Sequence, residues 1–458
     1  MKSPARTQGA LSRRRFLAGA SASLLAAPAL VAPALAQSGG SGDVDIAIVG
    51  GGAAGIAAAR RIAAAGRSYV LLEASGRLGG RARTVSVFGR PVDLGASGFS
   101  RRDSTLAAAA GEAGLALAPL PVARRLYAGG QEANEGDYDA FTLALGRLRR
   151  DIVAAGDAGR DVAASSVDTA GGPWAATAAA LVGPLACGRG LAGLSTLDLA
   201  LRTPAADDVT SPLGVGAMLE SLGAWLNVQK DAPVTLITNA GRTSTLAIRG
   251  QRGVVRARAI ILAVPAATVV GGDLRFNPPL QTRVAAAFRA FPAGQIEQVA
   301  FALPGNPFQL GADEPVLARV DGATPGMLWP GMLRARLGGS DVYRLSFGDE
   351  AAREIAAKGA PEAQRRVNAW LKTAFGASAP DVAQVQSSNW STDPLFRGAM
   401  ALATPGQAAL RRQFGDPLGR IFLAGDYTSV SQWGTLAGAW NSGEAAAARA
   451  LSLVTGPS

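Results

Sequence analysis

The chain has 458 residues, enough for two domains, with 45 basic against 34 acidic side chains and a formal net charge of +11. It contains no histidine and a single cysteine, Cys187, which rules out an internal disulfide, histidine-built zinc sites, Ser-His-Asp hydrolysis and any imidazole base. Only four basic residues are lysines and no basic cluster is interleaved with aromatics, so nucleic acid is not an expected partner. No metal site is expected either, and the chemistry of such a chain has to come largely from a cofactor.

In chain order, Ser12-Arg13-Arg14-Arg15-Phe16-Leu17 has the form of a twin-arginine export signal. A weakly apolar stretch with Gly19, Ser21, Ser23, Pro28 and Pro33 follows and ends in Ala34-Leu35-Ala36. The small-x-small tripeptide predicts removal of residues 1–36 before Gln37, the Tat translocase as partner during export, and a periplasmic product. A membrane anchor is the alternative reading, but the serines and prolines make a poor hydrocarbon span. Loss of the segment's five basic residues takes the formal charge from +11 to +6. No later segment has a membrane-spanning pattern.

Residues 45–84 carry the densest signal. Ile46-Ala-Ile-Val49 reads as a buried strand, Gly50-Gly-Gly52-Ala-Ala54-Gly55 as a turn into an alanine-rich helix, and Val70-Leu-Leu72-Glu73 as a second strand ending on a carboxylate. This is the order of a dinucleotide-binding βαβ unit. Gly50 permits the tight turn, Gly52 lets backbone N–H groups approach a pyrophosphate, and Gly55 lets the helix pack on the strand. The phosphates then lie at the positive end of the helix dipole, and Glu73 stands where an acid accepts ribose hydroxyls. Directly after it, Arg77-Leu-Gly79-Gly80-Arg81 supplies a second glycine pair and a cation for charge-assisted bonds to the pyrophosphate. Nicotinamide enzymes do not need that addition, so FAD is the better reading; taken alone, 77–83 would read as a solvated basic loop.

Further along, 91–98 continues the nucleotide unit, and the alanine- and leucine-rich stretch 101–210, broken at Gly129-Gly130 and Gly171-Gly172-Pro173, predicts short helices. A helix is expected over 214–226, then strands at 234–237, 244–248 and 254–264. Strands at 296–303 and 342–347 and one helix from 351 to about 375 come next. Arg420 to Asp426 reads as a strand entering a turn, after which Thr435-Leu436 open a helix to the C-terminus. The expected fold is α/β. A Rossmann-like FAD-binding domain is assembled from 43–100, 211–272 and 386–458, and an inserted α+β substrate domain from 101–210 and 273–385.

Laid out in this way, the chain resembles the FAD-dependent amine oxidase family, which includes monoamine oxidases, polyamine oxidases and L-amino-acid oxidases. Three blocks carry the resemblance: 50–84 extended by Asp93-Leu-Gly95-Ala96; 234–265; and Trp390 to Pro394, Arg397-Gly398, Gly425-Asp426 and Gly434 to Ala439. It implies that Val234 contacts the adenine, that Asp426 accepts a hydrogen bond from the ribityl chain, and that Leu436 N–H faces the flavin N1–C2=O edge, where a helix N-terminus stabilises negative charge. It implies Gly80, Arg81, Gly95 and Ala96 as further cofactor contacts, and hydride transfer from the carbon next to nitrogen to flavin N5, giving an imine that hydrolyses. Reoxidation would fall to oxygen or a periplasmic electron acceptor.

The chain departs from the family pattern at several positions. Gln298 stands where many relatives carry a lysine that holds a water near N5; its other reading is an exposed strand residue. Met400 and Thr435 stand where monoamine oxidases place two aromatic rings, with Trp433 or Phe99 as candidate substitutes. Ala399 replaces the cysteine that anchors flavin covalently in some relatives, so FAD is expected to be noncovalent. Trp390 is expected to pack near the flavin or, alternatively, simply in the core, and no general base is assigned. The leading reading is an exported oxidoreductase acting on an amine or amino acid. A carotenoid-desaturase-like flavoprotein and a non-catalytic flavin-binding protein are the alternatives.

Overall fold

A computed structural model describes residues 43–102, 104–203, 208–320 and 330–456; the twin-arginine segment lies outside these residues. The first strand, Asp43–Val49, has its Ile46-to-Val49 half buried on both faces, as the continuous apolar run requires. It lies between two parallel neighbours, Tyr69–Leu72 and Val254–Leu262. The last of these is shared. Its first half pairs antiparallel with Thr243–Ile248, and its second half pairs parallel with Ile421–Leu423 near the end of the chain. Val234–Ala240 and Arg275–Asn277 extend the sheet on one side and Val228–Gln229 closes it on the other, giving eight strands. Arg275–Asn277 therefore joins this sheet although it lies beyond 272.

Helices Ala53–Ala64 and Leu436–Thr455 cover one face of that sheet as a closely packed pair. Their approach depends on Gly443, where an added Cβ would sit 2.0 Å from the Ala54 carbonyl oxygen. Alanines fill the rest of the contact (Ala57, Ala58, Ala446, Ala447 and Ala450 are all buried).

A second, seven-stranded sheet runs in the order Val385–Ser387, Ile296–Ala302, Val342–Gly348, Gly331–Arg334, Pro315–Ala318, Arg125–Ala128, Gln131–Glu132. Alternation sets its two faces. Leu345, Phe347, Val299 and Phe301 point into a core with Ala351, Ile355, Val367 and Trp370 of the covering helices. Arg344, Ser346, Ile296 and Gln298 point the other way and line a cavity.

Two expectations need correction. The 101–210 stretch does hold short helices, among them Leu106–Glu112, Ala175–Ala180 and Thr196–Leu201, but not only these. Glu135–Asp157 is one 23-residue helix, started by an Asn134–Asp137 capping box and held by Phe141, Ala144, Leu148 and Ile152 at helical spacing on its buried face. Gly129-Gly130 turns a hairpin between Arg125–Ala128 and Gln131–Glu132 rather than separating helices. Conversely, 351–375 is not one helix but two, Asp349–Lys358 and Ala360–Phe375. Gly359 at φ 73° ends the first, and Pro361, which has no N–H to offer a preceding turn, starts the second.

Gly443→Ala is expected to cost about 1–3 kcal/mol, the usual range for overpacking, because backbone rather than a movable side chain stands in the way. Gly111→Ala, at an exposed helical position with nothing within 4 Å of the new methyl, should be neutral or stabilising by up to about 1 kcal/mol. Denaturant unfolding of the two variants checks the contrast.

Candidate functional site

The turn after the first strand places its glycines against backbone. At Gly55 a Cβ would fall 1.8 Å from the Gly50 oxygen, so helix and strand can meet only without a side chain there. Gly52 is different: a Cβ would meet nothing closer than Gly80 Cα at 3.9 Å, and no side chain caps the helix that starts beside it. The N–H groups of the first helical turn thus open onto a glycine-walled cradle, which suits a pyrophosphate.

Glu73 is buried and ties the cradle together. Gly51 N–H donates to its Oε2 at 2.7 Å, and Ser75 donates to Oε1 from both N–H and Oγ, each at 2.7 Å. A carboxylate accepts at about four lone-pair sites, so acceptor capacity remains for a ribose hydroxyl. Arg77 is not a solvated loop residue. Its guanidinium donates to the carbonyls of Leu78, Gly80 and Ala82, fixing the second glycine pair, and burial pushes its pKa down.

All three sequence blocks line the cavity, and the first and third are directly bonded there. Arg81 donates to Asp426 Oδ1 at 2.5 Å and to the Ala399 carbonyl, joining positions hundreds of residues apart. Gly95, Ala96 and Gly425 line the same stretch, and Leu436 stands at the start of the last helix. Thr435 is the N-cap of that helix, its Oγ1 accepting from Gly438 N–H at 2.9 Å. Val234 lies at the other end, with Ala232, Pro233 and Glu73.

One cavity of about 870 Å³ connects these residues to Gln298, Trp390 and Met400, near the upper end of the usual size for a small-molecule site. Every predicted site residue lines it except Gly55, which lies behind the turn. Trp390 is only 5% exposed, and its Nε1 donates to the Leu94 carbonyl at 2.6 Å. The segment bearing it hangs on Glu297, fully buried, whose carboxylate accepts from Ser388 Oγ, from Trp390 N–H at 3.0 Å and from Ser391 N–H at 2.8 Å. Burial raises the Glu297 pKa and these bonds oppose the rise. Gln298 is half-buried, its Oε1 accepting from Ser346 Oγ at 2.5 Å. That leaves its Nε2 protons as donors toward the cavity.

The proposed aromatic substitutes are elsewhere. Phe99 lies in the core beneath the first sheet. Trp433 is 1% exposed in a separate cluster, donating to the Asp198 carbonyl and stacked under Arg202 and Arg411 at 4.4 and 5.1 Å. Sequence reasoning also missed Arg344, Ser346, Arg202, Arg124 and Arg149, all of which line the cavity. The first two had a signal: polar residues at alternate positions of an otherwise apolar strand mark one face. The others had none. Among the described residues no group of three or more His, Cys, Asp or Glu could hold a metal ion.

The profile of the family described as flavin containing amine oxidoreductase matches residues 53–171 and 185–451. The chain is 26% identical over 463 residues to AofH of Mycobacterium tuberculosis, named for a flavin-containing monoamine oxidase, covering 90% of this chain and 97% of that protein. The putrescine oxidase of Kocuria rosea is 41% identical over 71 residues, 16% of this chain and 15% of that protein. Among solved structures, wild-type putrescine oxidase bound to putrescine superposes with a TM-score of 0.73 at 19% identity, over 90% of this chain and 100% of that one. Cyclohexylamine oxidase from Brevibacterium oxydans gives 0.74 at 20% identity, over 89% and 99%.

Glu73→Ala removes an anchor of the cradle and the one acid near the predicted ribose. Loss of hydrogen bonds to a charged group, worth about 1.5–3 kcal/mol, should weaken FAD binding by roughly 10- to 100-fold. Flavin-to-protein absorbance after gel filtration measures it; unchanged occupancy would remove Glu73 from the cofactor site.

Proposed function

The chain belongs to the flavin-containing amine oxidoreductase family, which implies FAD as its cofactor, and from that premise we propose an exported enzyme that oxidises an amine or amino acid to an imine. The observation that carries this reading is the continuity of the cavity, from the glycine cradle and Glu73 to an apolar chamber walled by Leu181, Leu185, Met332 and Met400. The residues fit the dinucleotide. Gly52 leaves room for phosphates; Arg81 and Asp426 would hold the pyrophosphate and ribityl chain, and the N–H groups at the Leu436 helix start would serve the flavin. When bound, FAD supplies the two-electron acceptor for hydride transfer from the carbon next to nitrogen.

The side chains have a narrower task. The apolar chamber disfavours an ammonium ion and so lowers the pKa of an entering amine, and the arginines around it act in the same direction by like-charge repulsion. A neutral amine is what hydride loss needs, so no protein base has to be supplied. Gln298, held by Ser346, donates from Nε2 to water or to the substrate's polar end. Trp390, fixed by Leu94 and Glu297, forms a rigid wall that keeps bulk water out. Ala399 offers no atom for a covalent link, and among the described residues no Cys, His or Tyr lines the cavity, which supports noncovalent FAD. Residues 1–36 supply the twin-arginine route to the periplasm, where oxygen or a periplasmic acceptor restores the oxidised state.

Purified protein should be yellow and release all of its flavin on acid precipitation. Anaerobic addition of amines or amino acids should bleach the flavin band, and Gln298→Leu should slow that bleaching about tenfold, the value of one good hydrogen bond, at unchanged FAD content. Bleaching by polyenes alone would move the protein to carbon-skeleton chemistry. No bleaching by any candidate would leave a binding protein.

A further inference from the structure

The substrate end of the cavity is lined with cations and, among the described residues, with no acid. Arg344 projects from Val342–Gly348 on the same face as Ser346, two residues and so about 7 Å further along the strand. It is 7% exposed. Its guanidinium donates to the Asp93 carbonyl at 2.8 Å and to Ser97 Oγ at 2.7 Å, both uncharged acceptors, and its Nε is enclosed without a hydrogen-bond partner. Arg202 lies over the Trp433 ring, with Nη1 3.7 Å from Cys187 Sγ and an Nε likewise enclosed and unpartnered. Among the described residues neither arginine forms an ion pair, although the Asp93 and Asp313 carboxylates lie close enough to Arg344 to offset part of the cost of its burial. Arg124 and Arg149, both exposed, also line the cavity.

The three acids that line the cavity among the described residues are committed elsewhere. Glu73 holds the cradle, Asp426 pairs with Arg81, and Asp273 pairs with Arg397 at 2.6 Å. Among the described residues, a distal ammonium, such as a diamine would carry, would therefore meet guanidinium groups and no uncommitted carboxylate lining the cavity. Enclosed guanidinium groups that make no direct ion pair are costly, and a carboxylate is the ligand their forked geometry fits best.

We propose that the substrate is an amine bearing a carboxylate, an amino acid rather than a diamine or simple alkylamine, with Arg344 as the carboxylate anchor, Arg202 as a second cation behind it, and Arg124 and Arg149 drawing the anion in. This rests on the amine-oxidation reading and narrows it. Specificity then comes from electrostatics at the far end of the substrate, while the reacting amine stays in the apolar part. The exposed arginines act at longer range, so their contribution is to the association rate and is screened by salt.

The test uses FAD-loaded enzyme and matched pairs: L-amino acids and the amines left when the carboxylate is removed. The kcat/KM ratio of amino acid to amine should be about 100 or more, and Arg344→Gln should reduce that ratio roughly 10- to 100-fold, the loss of one charge-assisted pair. Arg344→Lys should restore part of it. Butyrate should compete with the amino acid and perturb the flavin spectrum. Rising salt should lower kcat/KM for the amino acid, with a shallower slope in Arg124→Gln, whose exposed position keeps folding out of the comparison. Equal use of both members of each pair, or a preference for the amine, overturns the proposal. So does an absence of butyrate binding, which can be read on the wild type even if Arg344→Gln does not fold. If no member of any pair bleaches the flavin while butyrate still binds in an Arg344-dependent way, the amine-oxidation reading fails and the anion site stands.

Discussion

The close approach of bare backbone to bare backbone around the first glycine turn is the constraint on which the rest of this structure depends. Gly55 lies against the Gly50 carbonyl, and Gly443 of the last helix lies against Ala54. These contacts bring the first and last helices onto one strand end and leave the cradle at Gly52 open. Glu73 then fastens the turn from the neighbouring strand through Gly51 N–H. A methyl group at either contact would separate elements whose distance sets the width of the cofactor site.

From that corner the cavity is built by segments that have no local relation to one another. Arg81 meets Asp426 and Ala399; Gly95 and Leu94 meet Trp390; Glu297 collects the N–H groups of 390 and 391. Each is a polar group buried against a partner from a distant part of the chain, so the site is cooperative with the fold as a whole. The two sheets divide the labour. The eight-stranded sheet carries the cradle, and one face of the seven-stranded sheet supplies Gln298, Ser346 and Arg344 to the substrate end.

The electrostatics follow the same division. Acids occur along the cofactor half, where each is engaged by N–H groups or an arginine. Among the described residues, Arg344 and Arg202 on the other half make no ion pair with a carboxylate, and Asp93 and Asp313 act on Arg344 only without direct contact. For a chain without histidine, this arrangement replaces acid–base machinery with an environment. Under the proposed function, an apolar, cationic chamber would keep an amine neutral, and the same cations would favour an anionic group elsewhere on the molecule.

How much of this was legible in the sequence depended on the range of the interactions. The βαβ unit, the strands at 234–264 and the helix opening at Thr435 are local patterns of glycine, alternation and capping, and each element formed close to its predicted place. Helix ends depended on less visible features: an Asn134–Asp137 capping box lengthened one helix, and Gly359 with Pro361 divided another. Which side chains face the substrate was hardly legible at all. Trp433 reads as well placed in sequence, but in three dimensions it stacks under Arg202 and Arg411, outside the cavity. Arg344, Arg202, Arg124 and Arg149 come from four separate segments, a strand, a helix and two connections, and become a group only when those segments pack. The dinucleotide fold and its cofactor could be read from local pattern alone, because phosphate and ribose recognition uses backbone at fixed spacing. The charge of the far chamber emerged on packing, because it is a sum over residues with no common spacing.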